Sequence, residues 1–310
     1  MIGIVWNPTK VEESDLRKAA AAAFGDEEVR WWETSADDPG RAMALEAVDA
    51  GCDTVVAVGG DGTVRIVAEV LAQTEQPHQA SLGIVPQGTG NLLARNLDIP
   101  LGNIGAALKR IAAGDTRDID MGWVRTDDGD DETGFLVMIG FGLDANMLAE
   151  TDDDLKDKAG WLAYAEAMGR AVAASEIVDV TLTLDDGRTK ERSGHTLLIG
   201  NCGMIQGGLT LLPDAEPDDG KLDLLLVSAD GAAAWMHTLR AVVWENGIRR
   251  LLGGDRQEPP ASTDHAHYDT AEHIEVTLAS PQPFEIDGEE AGKVSSYSVR
   301  VQPGAVRVLC

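Results

Sequence analysis

Basic residues are scarce in this 310-residue chain, where 25 Lys and Arg stand against 53 Asp and Glu for a formal net charge of −28. A field of that sign repels nucleic-acid phosphate and anionic bilayers, so nonspecific DNA or RNA binding is a poor reading and any anionic ligand must be held by local contacts. The acidity itself reads most simply as a solvated surface. Cysteine is nearly lacking: Cys52, Cys202 and Cys310 are odd in number and show no C-x-x-C spacing. That leaves neither a disulfide framework nor a zinc knuckle and points to reduced thiols. No apolar run approaches the roughly 18 to 20 residues of a membrane span. Met1 leads straight into Ile2-Gly3-Ile4-Val5-Trp6 with no basic segment before it. The expectation is a cytoplasmic protein with no transmembrane segment and no signal peptide. A G-x-S-x-G elbow is also missing, which disfavours a serine hydrolase.

What is present falls into two rhythms. Residues 1–6, 29–33, 54–58 and 82–85 are short apolar runs that read as buried strands, and residues 14–24, 41–50, 63–72 and 103–113 carry helical periodicity. Strand alternating with helix implies a parallel sheet covered on both faces. Ser14 is expected to cap the first helix, and Gly25 and Gly51 to end the first two. Beyond about residue 120, strand-like runs follow at 119–125, 135–139, 178–184, 196–199, 222–227, 274–278, 283–286, 297–301 and 306–309. Asp185-Asp186-Gly187, Asp218-Asp219-Gly220 and Asp287-Gly288 supply the turns between them. Helical stretches are expected at 160–174 and 232–252, and a polar loop at 253–270. The chain therefore reads as an N-terminal Rossmann-like parallel α/β domain (1–120) and a C-terminal mostly antiparallel β-rich domain with helical insertions (121–310). The last strands have the option of returning to the first domain.

Chemistry concentrates at two glycine turns. Val55 to Val58 run into Gly59-Gly60-Asp61-Gly62-Thr63 and then a helix, a pattern in which glycines let the backbone approach a phosphate and the helix end supplies N–H groups and positive dipole. An ordinary βα turn capped by Thr63 is the competing reading of the segment taken alone. Asp61 favours the functional reading, because a carboxylate beside a phosphate is repulsive unless Mg²⁺ or a transferring proton lies between them. A second turn, Pro86-Gln87-Gly88-Thr89-Gly90-Asn91, follows the fourth strand. Neighbouring parallel strands deliver their C-terminal ends to one crevice, so both turns converge on one ligand. Thr89 and Asn91 are candidate donors to it, with Arg95 one helical turn on. Further along, Glu289 sits beside Asp287 in an acidic run, and two close carboxylates raise one pKa toward the range a general base needs. An exposed acidic hairpin tip explains the same residues.

These motifs together resemble the diacylglycerol kinase catalytic-domain family: GGDGT at 59–63, PQGTGNLLAR at 86–95, IDMG at 119–122, GFGLDA at 140–145, DDGKLDL at 218–224 and DGE at 287–289, in order over nearly the whole chain. GGDGT by itself is shared with NAD kinases, whereas the ordered set is far more specific. The resemblance implies an active cleft between the two domains, ATP and Mg²⁺ as cofactors, and a lipid substrate met at a membrane surface. It implies that Asn7, Pro8, Thr9, Lys10, Thr34, Gly59, Gly60, Asp61, Gly62, Thr63, Arg65, Gly88, Thr89 and Asn91 bind nucleotide. It further implies a structural Mg²⁺ on Asp219 with main-chain oxygens of Glu216 and Lys221, Glu289 as general base, and Asp61 and Asp120 holding water around a catalytic Mg²⁺.

The expected function is γ-phosphate transfer from ATP to a diacylglycerol-like hydroxyl, giving phosphatidate. A sphingoid or ceramide kinase, an NAD kinase, and a nucleotide-binding regulatory homologue with little turnover are the alternatives. Leu92 motivates the last, since many relatives carry Asp there. Arg65 replaces a polar uncharged residue and is a candidate extra phosphate contact. Peripheral docking at the inner face of the membrane and a homodimer are left open. Two weaker signals are set aside: GFGLDA imitates a dinucleotide fingerprint but follows a strand of the β-rich half, and His265, His267 and His273 with Asp264 and Asp269 match no zinc spacing. Trp31 and Trp32 fit sheet packing better than an adenine platform.

Overall fold

The computed structural model describes residues 1–74, 80–129, 131–142, 177–185, 187–206, 210–228 and 266–310. Its contacts divide into two units. The first holds Met1–Met121, Pro217–Asp219 and Gln302–Cys310; the second holds Gly122–Glu216 and Gly220–Val301.

The first unit is an α/β fold. Strands β1 (Ile2–Trp6), β2 (Val29–Glu33), β3 (Thr54–Gly59) and β4 (Ser81–Pro86) alternate with helices α1 (Glu13–Phe24), α2 (Arg41–Asp49) and α3 (Asp61–Ala72). Helices α4 (Leu92–Asn96) and α5 (Ile104–Ala113) follow β4. The strand order is β4-β3-β1-β2, every pair parallel. Strand β3 is buried along Val55–Gly59 without alternation, as a strand covered on both faces must be. One face packs Ile4, Trp6, Val56 and Val58 against Leu16, Ala20 and Phe24 of α1 and Leu108 and Ile111 of α5. Each such large side chain removed from water contributes roughly 1.5–3 kcal/mol. Helices α2 and α3 pack on each other and against β1 and β3.

The second unit is β-rich. Strand β5 (Thr116–Thr126) enters it and pairs with β6 (Thr133–Phe135). There follow β7 (Met138–Phe141), β8 (Val178–Leu184), β9 (Thr189–Gly194), β10 (Thr196–Gly200), β11 (Leu222–Val227), β12 (Ala266–Ala271), β13 (His273–Ile286) and β14 (Glu289–Leu309). One run of neighbours is β12-β11-β10-β7-β13 and another is β13-β8-β9, all antiparallel. Their inward side chains, among them Phe135, Ile139, Leu182, Leu224, Phe284 and Tyr297, form one core. The fold class read from sequence is thus the one observed. Strand β14 pairs with β13 up to Arg300, and its last residues, Val308 and Leu309, lie parallel to Leu82 and Gly83 of β4 in the first unit's own sheet.

Several local expectations are corrected. Helix α1 starts at Glu13 with Glu12 at its N-cap, so Ser14 lies inside the helix and caps nothing. Helix α3 is preceded by Gly60 in extended conformation, which leaves Thr63 buried within its first turn rather than capping it. Residues 266–270, expected in a loop, belong to β12, where hydrogen bonding to β11 outweighs their polar composition. Strand β9 was not anticipated because its sequence, Thr189 to Ser193, has no apolar face. Gly25 and Gly51 do adopt positive φ, at 61° and 80°. Asp186, the stretches 160–174, 232–252 and 253–265, and residues 143–145 of the GFGLDA motif lie outside the described residues.

Candidate active site

In the first unit the strand ends are stitched at their C-terminal edge by main-chain hydrogen bonds. The Thr34 N–H donates to Trp6 O (2.9 Å), the Asn7 N–H to Val58 O (2.9 Å) and the Gln87 N–H to Gly59 O (2.7 Å). Four of the sequence-predicted segments therefore share one edge. After β1, the Asn7 Oδ1 accepts from the Thr9 N–H (2.9 Å) and hydroxyl (2.8 Å), folding Pro8, Thr9 and Lys10 into an exposed turn. Thr34 and Thr63 are buried, each 4% exposed. Gly40, which precedes α2, lies between them: a β-carbon built there would stand 3.7 Å from the Thr34 methyl and 3.8 Å from that of Thr63.

The two glycine turns are one structure. A β-carbon on Gly88 would come within 2.7 Å of the Gly60 Cα, a contact only glycine permits. Asp61, the first residue of α3, accepts the Asn91 N–H at Oδ2 (2.7 Å) and the Leu92 N–H at Oδ1 (2.5 Å). Asn91 has φ 47° and closes its own loop, accepting from the Gly88 N–H (2.8 Å) and donating to Gly88 O (2.7 Å). Arg95 Nε donates to Gly90 O (2.7 Å). The result is a backbone concavity at the start of the 12-residue helix α3, whose N-cap Gly60 makes no side-chain cap bond. Exposed Thr89 sits on its rim. Such a surface, lined by glycine backbone and a helix N-terminus, fits the phosphates of a nucleotide. Leu92 is buried (8% exposed), its N–H spent on Asp61.

Asp120, on β5, is 2% exposed. Its Oδ1 accepts the Gly304 N–H (2.7 Å), and its own N–H donates to Pro217 O (2.6 Å). The turn that follows Glu216 is anchored by Asp218, which takes two hydrogen bonds of 2.7 Å from Arg117. That guanidinium holds the Asp218 carboxyl below its ordinary pKa. Asp219 is exposed, and Gly220 has φ 74°. Asp219 falls in the first unit, and Glu216 and Lys221, whose main-chain oxygens the family resemblance pairs with it, fall in the second; carboxylate and carbonyl oxygens are the donor type Mg²⁺ takes. Among the described residues no group of three or more His, Cys, Asp or Glu side chains is arranged to hold a metal ion.

In the second unit, Asp287 and Gly288 have φ 49° and 81° and form a two-residue hairpin of the kind that demands positive φ at both positions. The Asp287 carboxylate is buried and accepts the N–H groups of Leu136 (2.8 Å), Val137 (2.8 Å) and Met138 (3.0 Å). Its own N–H donates to Met138 O (2.8 Å). Glu289, opposite Ile286 across the turn, is exposed. One carboxylate fixes the loop while the other is exposed.

Sequence reasoning missed two residues of this region. Arg41 opens α2 beside Gly40, and its guanidinium bonds the carboxylate of Glu69 on α3; Glu69 is 2% exposed and also accepts from Arg65 Nη1 (3.2 Å). The i,i+4 spacing of Arg65 and Glu69 was the available signal. Elsewhere, Trp31 lies under the Arg17 guanidinium and Trp32 donates to Glu46, so both serve packing within the sheet and helices.

Residues 4–124 match the family model described as diacylglycerol kinase catalytic domain, and residues 137–310 match that of the YegS C-terminal NAD kinase beta sandwich-like domain. A probable lipid kinase YegS-like of Pseudomonas aeruginosa is 33% identical over 89% of this chain and 82% of its own length. A diacylglycerol kinase of Staphylococcus saprophyticus is 27% identical over 94% and 89%. Among solved structures, a putative diacylglycerol kinase from Bacillus anthracis shares the fold with a TM-score of 0.71 at 22% identity, covering 99% of this chain and 96% of that one.

Proposed function

Since the chain belongs to the diacylglycerol kinase catalytic-domain family, with the YegS-type C-terminal domain, we propose that it transfers the γ-phosphate of ATP to the hydroxyl of a diacylglycerol-like lipid, giving phosphatidate. The observation that carries this reading is the clasp of Asp61 on the Gly88–Leu92 turn, which builds a glycine-backbone cradle at the head of α3.

In this reading Gly59 to Thr63 and Gly88 to Asn91 receive the phosphates through main-chain N–H groups, and Asn7 to Lys10 and Thr34 border the nucleotide. Asp61 acts first by holding the cradle's shape. Mg²⁺, when bound, would supply neutralisation of phosphate charge; the proposed donors to a structural ion are Asp219 and the main-chain oxygens of Glu216 and Lys221, and Asp61 and Asp120 are the proposed holders of water around a separate catalytic ion. Glu289, an exposed carboxylate, is the proposed general base, accepting the proton of the lipid hydroxyl as its oxygen attacks phosphorus and the bridging oxygen leaves with ADP. Asp287 is a positioning residue that fixes the turn carrying Glu289.

The test is transfer from γ-labelled ATP to dispersed diacylglycerol, sphingosine, ceramide and NAD, with wild type and Glu289→Ala. Labelled phosphatidate from wild type, with a loss of about 10²–10⁴-fold in the variant, is expected. Label in NADP or a sphingoid phosphate alone would reassign the substrate. ATP binding without transfer to any acceptor would make a regulatory role the better reading.

A further inference from the structure

Strand β9 breaks the burial pattern of the second unit. In its ladder with β8, Lys190 lies opposite Leu182 and Arg192 opposite Val180, and both of those β8 residues belong to the core. Cross-strand partners share a face of the sheet, so β9 places two cations on the face where β8 is apolar. Strand β12 repeats the exception, with His267 opposite Leu226 and Asp269 opposite Leu224, again two core leucines. Among the described residues each is an edge strand, β9 paired with β8 and β12 with β11.

The two edges meet around a cavity. Lys190 Nζ donates to both oxygens of Asp269, at 2.5 and 2.7 Å, and so joins β9 to β12. Beside this pair lies a cavity of about 170 Å³, lined on its buried side by Leu182, Leu197, Leu224 and Leu226. Lys190, Arg192, His267 and Asp269 supply its polar lining. That volume falls below the roughly 300–1,000 Å³ of sites for drug-sized ligands, so the guest it suits is smaller.

Charge decides what kind of guest. Asp269 offsets Lys190, whereas Arg192 donates through Nη1 to a main-chain acceptor, Glu191 O (2.9 Å), and pairs with no carboxylate among the described residues. A guanidinium carries five donors in a planar fork, so this one hydrogen bond leaves Arg192 able to engage an oxyanion. Inward-pointing charges on edge strands also discourage pairing with other chains. That role requires neither an enclosed space nor an excess of cations beside it.

We propose that this cavity is a binding site for a compact oxyanion, phosphate or carboxylate, carried by a small polar molecule. Arg192 receives the anion, and Lys190 turns from Asp269 to share it, with Asp269 as the built-in competitor for the lysine. The site uses no residue of the nucleotide cradle and does not rest on the kinase reading.

The test is amide NMR titration of the full chain with sodium phosphate and sodium acetate, with sodium chloride at matched ionic strength as control. It is run on wild type, Arg192→Ala, Arg192→Lys and Asp269→Asn. Saturable shifts of β9 and β12 amides with phosphate, acetate or both, and not with chloride, are expected; which anion acts identifies the chemistry of the guest. Arg192→Ala should raise Kd about tenfold and Arg192→Lys by less. Asp269→Asn removes the competing charge and should lower Kd about threefold, whereas an ion pair that only ties two strands together predicts no gain in affinity. The proposal is overturned by an equal response to chloride, by a Kd indifferent to Arg192→Ala, or by no saturable shift in either wild type or Asp269→Asn. Edge protection would then account for these charges. Should Asp269→Asn not fold, the two variants of the exposed Arg192 decide alone.

Discussion

Asp61 in the first unit and Asp287 in the second do the same work with different degrees of commitment. Each is a turn aspartate that accepts backbone N–H groups from a distant stretch of chain, Asn91 and Leu92 in one case, Leu136 to Met138 in the other. Among the described residues Asp287 accepts from three N–H groups and is 5% exposed, and Asp61 accepts from two and is half-buried at a concave edge. Hydrogen bonds from N–H groups to a carboxylate are charge-assisted and strengthen as water is excluded. The fully buried clamp therefore belongs to the architecture, whereas the half-buried one keeps access to whatever enters the cradle. A carboxylate in a motif is not by that fact a metal ligand or a base.

The comparison can be broken by substitution. Asp287→Ala orphans three N–H groups, one of them on β7, and should destabilise the protein by about 3–5 kcal/mol, read as a lower urea midpoint. An effect below about 1 kcal/mol would show that the loop at 136–138 finds other acceptors. Asp61→Asn replaces one acceptor oxygen by an N–H₂ facing a backbone donor; we expect a smaller loss, about 1–2 kcal/mol, accompanied by weaker Mg-ATP binding in calorimetry. Equal stability losses in the two variants would erase the distinction.

The surface pair Arg117–Asp218 provides a third, weaker grade of clamp. Arg117 holds the Asp218 pKa below the ordinary 3.8, so the stabilisation is present above that value and is lost as pH falls through the folded-state value. Because both side chains are more than a third exposed, the difference between wild type and Asp218→Asn should be only about 0.5 kcal/mol at pH 7 and shrink as the pH is taken below 3.8 in parallel unfolding series. Glu289→Ala should have the smallest effect on stability, within about 0.5 kcal/mol, even though its proposed role as base predicts a loss of transfer of about 10²–10⁴-fold. A large stability loss there would mean that Glu289, like its neighbour Asp287, is structural.

These clamps also mark the limit of what the chain's order of residues discloses. Strands β1, β3 and β4 were legible because continuous apolar runs bounded by glycine admit few other conformations. The glycine turns were legible for the same local reason. Strand β9 was not, since Thr189, Lys190, Glu191, Arg192 and Ser193 gain their strand state from the β8 ladder rather than from an apolar face. Nor were the partners of Asp61, Asp120 and Asp287, because their N–H donors lie 30 to 184 residues away. The acidity, expected to be mere solvated surface, is in part built into such contacts: Asp127 accepts from Ser295 and Ser296, and Asp185 from Glu272 and His273. Charge composition cannot distinguish an acceptor in a loop from a carboxylate in water.

Strand β4 has its neighbour β3 early in the chain, but its other edge is covered by Val308 and Leu309 at the end of β14. During synthesis the ribosome makes β4 long before that partner exists. The nascent first unit must therefore wait with an open strand edge, the kind of surface that pairs with other chains. Completion of this sheet is thus timed by translation of its last strand, and a nascent-chain series stalled before and after residue 308 should show protease resistance of the first unit arriving late, with the final strand.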